Sequence, residues 1–330
     1  MNRRIKIISS IVLVFAFLVF ANHKVYSEVS INRLYGADRY GTSTAIAKQG
    51  WTTSNYAVLA SGANYPDALA AAPLAKKYNA PILLTDSKSL KLETKNTLID
   101  LGVKNVFIVG GTGVVSSNIE NQLKSMGINV ERLAGKNRYE TCVKVAQKLG
   151  SVQKVVLVSG NNFPDALAVA PIAAIKGMPI LLVDKNSVYS NVKAYIDSQN
   201  PSQVYVVGGT GVITDDTLKN ISNKRRLSGK DRYETNVAVL NEFISDISLN
   251  KVYVASGANF PDALSGAALA AKNSSPIVLT SKAYNPTIAD FTVSHRSSVT
   301  NVFSIGGTTI VPQDIVSEYF NGNLEVIGVE

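Results

Sequence analysis

The sequence predicts an α/β protein made of three tandem domains, each a doubly wound parallel sheet with helices on both faces. A motif built around an Arg-Tyr pair occurs three times, beginning at Arg33, Arg132 and Arg226. Three more blocks recur in the same phase, beginning at Ser61, Pro81 and Val106 in the first copy. The copies lie nearly 100 residues apart. That spacing is the size of a domain and exceeds the roughly 20–50 residues of a solenoid repeat.

Within the first copy, short apolar segments alternate with segments of helical period. The predicted strands are residues 31–35, 56–60, 81–85 and 106–109. The predicted helices are residues 39–51, 66–77, 90–101 and 117–126. Apolar strands joined by helices are typical of a parallel sheet that is buried on both faces and connected by right-handed crossovers. Each copy is therefore predicted to be a three-layer module.

The strand before each Arg-Tyr motif leaves the module boundaries open. It occurs at residues 31–35, 129–133 and 224–227, and a fourth similar segment at 324–329 closes the chain. The sequence does not decide whether each strand joins the module before it or after it. We set the modules at residues 28–130, 131–225 and 226–330.

Capping residues support the predicted helix starts. Residues with N-cap preference precede the first helix of each module, and Glu140 and Glu234 follow three residues later in the second and third. These N-caps are Asp38, Asn137 and Asp231. A second predicted set has an Asn as N-cap and an Asp as its box partner, with a proline in the first turn. The pairs are Asn64 with Asp67, Asn162 with Asp165, and Asn259 with Asp262.

The first 27 residues have the pattern of a secretory signal peptide. Basic residues precede an apolar segment, 11–21, that is shorter than the roughly 20 residues of a membrane-spanning helix. Cleavage after Ala21 and cleavage after Ser27 both fit, and an uncleaved anchor is the alternative. Cleavage after Ser27 lowers the formal charge from +9 to +5, because it removes four basic and no acidic residues. We expect a secreted, mildly basic protein with no stable transmembrane segment and no nucleic-acid partner.

The unusual residues of each module follow the predicted strands, so they share the sheet edge where ligands bind in open parallel sheets. An arginine enters the first helix of each module, where the helix dipole disfavours a cation. These arginines are Arg39, Arg138 and Arg232. Two partners would offset the charge: the Asp on the next helix (Asp67, Asp165 or Asp262), or an anionic ligand held by the guanidinium fork. The glycine clusters after Val109, Val207 and Ile305 fail as a dinucleotide fingerprint, and we interpret them as tight turns.

Catalysis and metal binding are poorly supported by the composition. His23 lies in the leader and His295 is the only other histidine, so neither a two-His zinc site nor a Ser-His-Asp triad can be repeated in each module. The single cysteine, Cys142, has no partner within the chain for a disulfide and is predicted to lie in the core. We expect no enzyme, no cofactor and no metal.

The blocks RLYGADRYGT, SGANYPDALAAAPLA, PILLT and VFIVGGTG, three times in order, resemble the type 2 cell-wall-binding repeat of Gram-positive surface proteins. This resemblance implies three Rossmann-like modules around a pseudo-threefold axis that bind an anionic wall polymer noncovalently. The Ile-Leu-Leu-Thr block ends at Thr85, becomes Val183 in the middle module and ends at Thr280 in the third, so only the outer modules offer a ligand a hydroxyl. Relatives often carry a separate effector domain, and residues 28–330 leave no room for one.

We therefore predict a protein of the cell wall and cell surface that binds an anionic glycopolymer through three repeated sites. The predicted ligand-binding residues are Arg39, Arg138, Arg232, Thr85, Thr280, Asn64, Asn162 and Asn259. Three weak sites on one body would give avidity. Two alternatives stay open: a wall hydrolase or amidase-associated protein, and a structural surface-layer component with other surface-layer proteins as partners.

Overall fold

A computed structural model describes residues 28–322, which form twelve β-strands and eleven α-helices. The strands are β1 (Ser30–Leu34), β2 (Tyr56–Ser61), β3 (Ile82–Thr85), β4 (Asn105–Val109), β5 (Asn129–Leu133), β6 (Lys154–Ser159), β7 (Ile180–Val183), β8 (Gln203–Val207), β9 (Lys224–Leu227), β10 (Lys251–Ser256), β11 (Ile277–Thr280) and β12 (Asn301–Ile305). The α-helices are α1 (Arg39–Gly50), α2 (Ala71–Lys77), α3 (Leu92–Asp100), α4 (Ser117–Ser125), α5 (Arg138–Gln147), α6 (Pro164–Ile175), α7 (Ser190–Gln199), α8 (Arg232–Glu242), α9 (Pro261–Lys272), α10 (Pro286–Ser294) and α11 (Gln313–Asn321). The predicted signal peptide and the predicted strand at 324–329 lie outside the described residues.

The strands form three parallel four-stranded sheets, which confirms the predicted α/β architecture. Their orders are β3-β2-β4-β5, β7-β6-β8-β9 and β1-β12-β10-β11. In each sheet, β2, β6 or β10 lies second from one edge, and helices connect the successive strands, as in Rossmann-like folds. Buried Val, Ile, Leu and Ala fill three strands of each sheet, because helices cover both faces there. The fourth strands, β1, β5 and β9, are mostly exposed or half-buried.

The closing strand of each sheet answers the question that the sequence left open. The strand β5 pairs with β4 of the first module, and β9 pairs with β8 of the second. Each strand before an Arg-Tyr motif therefore completes the module that precedes it. The first strand, β1, pairs in the equivalent register with β12, so the beginning of the described chain completes the third module.

Of the two predicted sets of helix caps, the first is confirmed and the second is wrong. Asp38 begins α1, and its Oδ1 accepts hydrogen bonds from two backbone N–H groups; Asn137 and Asp231 do the same for α5 and α8. The predicted caps Asn162 and Asn259 do not cap: α6 and α9 begin after Phe163 and Phe260, with no side-chain cap.

The first module differs again after Asn64. Its chain passes Asp67 through a 3₁₀ turn at Ala68–Ala70 before α2 begins at Ala71, so Asn64 is not a cap either. Ser61, at the end of β2, caps this loop in part, because its Oγ atom accepts hydrogen bonds from the backbone N–H groups of Ala63 and Asn64. A nearby serine hydroxyl offers these N–H groups an acceptor that does not depend on helical geometry.

The three modules pack around a shared centre. The helices α2, α6 and α9, one from each module, pack against one another. The first helix of each module packs on the central helix of the preceding module: α1 on α9, α5 on α2 and α8 on α6. We call each of these three junctions a seam. Within residues 28–322, no helix combines the length and the apolar character needed to cross a membrane.

Candidate ligand site at the module seams

The three predicted arginines occupy the first residue of the helices that form the seams: Arg39 in α1, Arg138 in α5 and Arg232 in α8. Each Nη1 atom donates a hydrogen bond to the carbonyl oxygen of the glycine after a strand of its own module. The acceptors are Gly62 at 2.5 Å, Gly160 at 2.5 Å and Gly257 at 2.6 Å. This bond holds the guanidinium group at the carboxyl end of a strand. Arg39 is exposed, and the other two are half-buried.

The carboxylate that faces each arginine comes from the neighbouring module. The sequence analysis left two partners open, an anionic ligand or the Asp of the next helix, and the second of these would pair Arg39 with Asp67. In the structure Arg39 instead faces Asp262, across the seam between the first and third modules. Arg138 likewise faces Asp67, and Arg232 faces Asp165. The facing carboxylate comes from another module because the seam, which no local sequence pattern shows, brings an Asp of the preceding module toward each arginine.

These pairs are not closed salt bridges. Among the described residues, no carboxylate oxygen lies within 4.0 Å of the three guanidinium groups. The hydrogen bond to a glycine carbonyl uses one of the five N–H donors of each arginine. The remaining donors are available to an anion that enters the seam.

Burial is the main influence on the seam carboxylates. It raises the pKa of Asp165 and of Asp262 to about 6, and the facing arginine only partly opposes this rise. The pKa of Asp67 is also raised by burial, while hydrogen bonding to Thr141 and the charge of Arg138 act in the opposite direction.

The glycine turn after each third strand provides the space for these carboxylates. Gly208 has φ +117°, and a Cβ atom there would lie 2.5 Å from Oδ2 of Asp165. Gly306 has φ +105°, and its Cβ would lie equally close to Asp262. Only glycine combines this backbone conformation with such a close contact. The glycine clusters are thus tight turns that hold a carboxylate.

A second set of arginines, not assigned by the sequence analysis, holds the same turns from outside. Arg132 Nη1 donates to the carbonyl oxygens of Gly110 and Val115, and its Nε donates to Glu120. Arg33 and Arg226 make the matching bond to Gly306 and Gly208, both at 2.7 Å. The sequence contained a signal for these arginines, because each Arg-Tyr motif begins with one of them. Its role depends on the closing strand pairing with the preceding module.

The seam between the third and first modules contains a pocket of about 270 Å³. It is lined by Arg39 and Asp38 from the first module, and by Asn259, Asp262 and Thr309 from the third. Two of the predicted ligand residues, Arg39 of the first module and Asn259 of the third, therefore line the same pocket. An arginine fork beside an amide can bind a carboxylate or phosphate group and a neighbouring hydroxyl.

The other predicted ligand residues are placed less favourably. Thr85 and Thr280 are fully buried, and their hydroxyls donate to the backbone carbonyls of Ser89 and Ser281 at 3.2 Å. Asn64 is exposed on the loop after β2. Asn162 is half-buried, and its Oδ1 accepts from the backbone N–H of Phe163.

Three aromatic rings at the centre of the molecule were missed by the sequence analysis. Tyr65, Phe163 and Phe260 occupy the same position in each module, immediately before the helix proline. Their ring centroids lie 5.3 Å, 5.4 Å and 6.1 Å apart, so each ring contacts both others. The guanidinium carbon of Arg39 lies 5.8 Å from the Phe260 centroid, and that of Arg232 lies 6.0 Å from the Phe163 centroid. An aromatic before each proline was visible in the sequence, but its meeting with the others was not.

Comparison with known proteins gives a single family. The sequence profile described as "Cell wall binding domain 2 (CWB2)" matches residues 33–120, 132–218 and 226–316. The chain is similar to the N-acetylmuramoyl-L-alanine amidase LytC of Bacillus subtilis, with 40% identity over 88% of this chain and 58% of the amidase. It is also similar to the amidase enhancer of Bacillus subtilis, with 33% identity over 86% of this chain and 39% of that protein.

Two solved structures have the same fold. Cwp6 from Clostridium difficile superposes with a TM-score of 0.82 at 30% identity, covering 89% of this chain and 48% of Cwp6. Cwp8 from Clostridium difficile superposes with a TM-score of 0.80 at 28% identity, covering 90% of this chain and 53% of Cwp8. The chain thus spans about half the length of these proteins.

Proposed function

The chain belongs to the cell wall binding domain 2 family, and on that premise we propose that it attaches noncovalently to an anionic glycopolymer of the cell wall through its three seams. Family membership implies a location at the cell wall or cell surface. Secretion is part of the proposal, and the signal-peptide pattern of residues 1–27 supports it.

One observation carries the proposal. At every seam an arginine is held by a backbone carbonyl, with no carboxylate within 4.0 Å among the described residues to close its remaining donors. A guanidinium fork is well suited to phosphate or carboxylate groups, which it can bind with two parallel hydrogen bonds. The threefold repetition of this group matches a polymer that repeats its own charge.

The amidase alternative is less well supported by the residues of this chain. The LytC amidase extends well beyond the part matched here, since the match covers 58% of it. Within residues 28–322, no three His, Cys, Asp or Glu side chains are grouped so that they could hold a metal ion. We propose that the matched region binds the wall and does not hydrolyse it.

A cosedimentation experiment with purified cell walls tests both points. The variant combines Arg39→Ala, Arg138→Ala and Arg232→Ala, and walls are used intact or stripped of anionic polymer. Each arginine supplies charge-assisted hydrogen bonds worth about 1.5–3 kcal/mol, so the affinity for intact walls should fall at least tenfold. The unmodified chain should also lose its binding when the walls are stripped, and the supernatant should contain no new amino or reducing ends.

A matched control removes three positive charges from the opposite edge of the sheets, through Lys104→Ala, Lys154→Ala and Lys224→Ala. These lysines precede or begin β4, β6 and β9, so they lie at the amino ends of strands. The control should bind walls normally. Equal losses in both variants would show a general charge effect, and unchanged binding by the folded arginine variant would exclude the seams.

A further inference from the structure

The distances at the centre of the molecule bear on how many ligands the three arginines can hold. Arg39 lies 5.8 Å from the Phe260 ring, the two Phe rings lie 6.1 Å apart, and Arg232 lies 6.0 Å from the Phe163 ring, so the two guanidinium carbons are at most about 18 Å apart. Arg138 faces Asp67, which is two residues beyond Tyr65 in the same central loop. All three arginines therefore lie close to one small area, formed by the loops that carry Tyr65, Phe163 and Phe260.

The aromatic rings form a shared base for this area. Tyr65 contacts both Phe163 and Phe260, and its hydroxyl donates to the backbone carbonyl of Asn161 at 3.2 Å. The rings are half-buried, whereas the residues just before them in the three loops are largely exposed. The helices that follow the rings in the chain, α2, α6 and α9, pack against one another. The rings thus precede the amino ends of the central helices, and each ring keeps part of its surface exposed.

We propose that the three seams form the rim of a single composite site on the pseudo-threefold axis, which binds one segment of an acidic sugar polymer over Tyr65, Phe163 and Phe260. This proposal rests on the function proposed above and specifies its stoichiometry. The ligand class is an oligosaccharide with a phosphate or carboxylate group on successive repeats. Its acidic groups bind the arginines, and the apolar face of one sugar ring packs on the aromatic base.

Two physical arguments favour one ligand over three. The rings are in mutual contact, so a sugar packed on one of them covers part of the others and the base cannot be divided. A single chain that repeats its acidic group can also bind all three arginines at once, so each contact raises the effective concentration for the next. The aromatic base adds the apolar contact that a purely ionic site lacks.

Stoichiometry measured on the unmodified protein tests the proposal directly. The probe is a size-fractionated set of short fragments of the anionic wall polymer, and binding is followed by native mass spectrometry and by titration calorimetry. We expect one fragment bound per chain at saturation. Binding of three fragments per chain would overturn the composite site and leave wall attachment intact. Absence of binding by fragments and by intact walls alike would overturn both proposals.

Single substitutions give a second, independent measurement. In a composite site, Arg39→Ala lowers the affinity of the one bound fragment about tenfold and leaves the stoichiometry at one. With three separate sites the same variant would lose one third of the bound fragment and leave the affinity of the rest unchanged. Phe260→Leu keeps an apolar side chain of similar size beneath the loop and removes the ring. It should weaken fragment binding several-fold without altering the thermal midpoint by more than a few degrees, and unaltered affinity in this variant would exclude the aromatic base.

Discussion

At the scale of the residue, two arginines of the same short motif have different roles. Arg33 lies in the closing strand β1, and its side chain donates hydrogen bonds to the Gly306 carbonyl oxygen and to the Gln313 side chain. Arg39, six residues later, begins a helix and faces Asp262 across a seam. The first role is met entirely by protein atoms, whereas the second leaves donors available. On this difference we propose that Arg33 supports the fold and that Arg39 binds a ligand.

The buried carboxylates at the seams predict how stability changes with pH. The pKa values of Asp165 and Asp262 are about 6 in the folded chain, above the ordinary value of 3.8, so the folded state binds their protons first as pH falls. As pH falls from 7.5 to 5, these two groups should therefore make the folded state more stable, by roughly 1–1.5 kcal/mol each. Urea unfolding at the two pH values measures this difference.

The double variant Asp165→Asn and Asp262→Asn removes both titrating groups and should flatten this part of the pH dependence. Asp100→Asn is the control, because that carboxylate is exposed and pairs with Lys48 at 2.8 Å. The control should keep the pH dependence of the unmodified chain. A double variant with an unaltered pH dependence would show that the seam carboxylates are not responsible.

At the scale of the element, the closing strand has the most unexpected position. The strand β1 supplies the fourth strand of the third sheet, although it is separated from β12 by almost the whole described chain. Asn321 at the end of α11 fastens it further, because its side chain exchanges hydrogen bonds with the backbone N–H and C=O of Val29 at 2.8 and 3.0 Å. The two ends of the described chain are therefore joined in one sheet.

Deletion of residues 28–34 tests the contribution of this strand. Val29 and Leu34 are buried, and each such side chain contributes about 1.5–3 kcal/mol, so the deletion should cost roughly 3–6 kcal/mol of unfolding free energy. The comparison is a chain that lacks residues 323–330 instead. Residues 323–327, Asn-Leu-Glu-Val-Ile, have the sequence pattern of β5, Asn-Val-Glu-Arg-Leu, so they are the other candidate for a closing strand. If the first deletion left the denaturation midpoint unchanged, β1 would not be the strand that closes the third module.

At the scale of the whole molecule, the seams make the three modules interdependent. Each first helix packs on the central helix of the preceding module, and the central helices pack on one another. A module taken alone would expose both of these surfaces. The three modules close into a ring where the first meets the third. The strand β1 belongs to the third sheet, and α1, which follows β1 in the chain, packs on α9 of the third module.

We therefore predict a single cooperative unfolding transition in calorimetry, with equal calorimetric and van't Hoff enthalpies. Leu269→Ala provides the test of coupling, because this buried side chain of α9 lies against Gly50 of α1 at a seam. Truncation of a buried leucine costs roughly 2–5 kcal/mol, and the whole transition should shift to lower temperature. A transition that splits, with only one module melting early, would show that the modules fold independently.

The sequence by itself determined the number of modules, the order of strands and helices and the starts of the seam helices. These features rest on periodicity and repetition, which are local and occur three times. The tertiary structure decided which sheet each closing strand joins and which carboxylate faces each arginine. It also brought Tyr65, Phe163 and Phe260 into contact. Such contacts join residues from different modules, and their geometry follows from how the modules close into a ring. No local pattern carries that information, because an arginine at the start of a helix has the same sequence whichever module it faces.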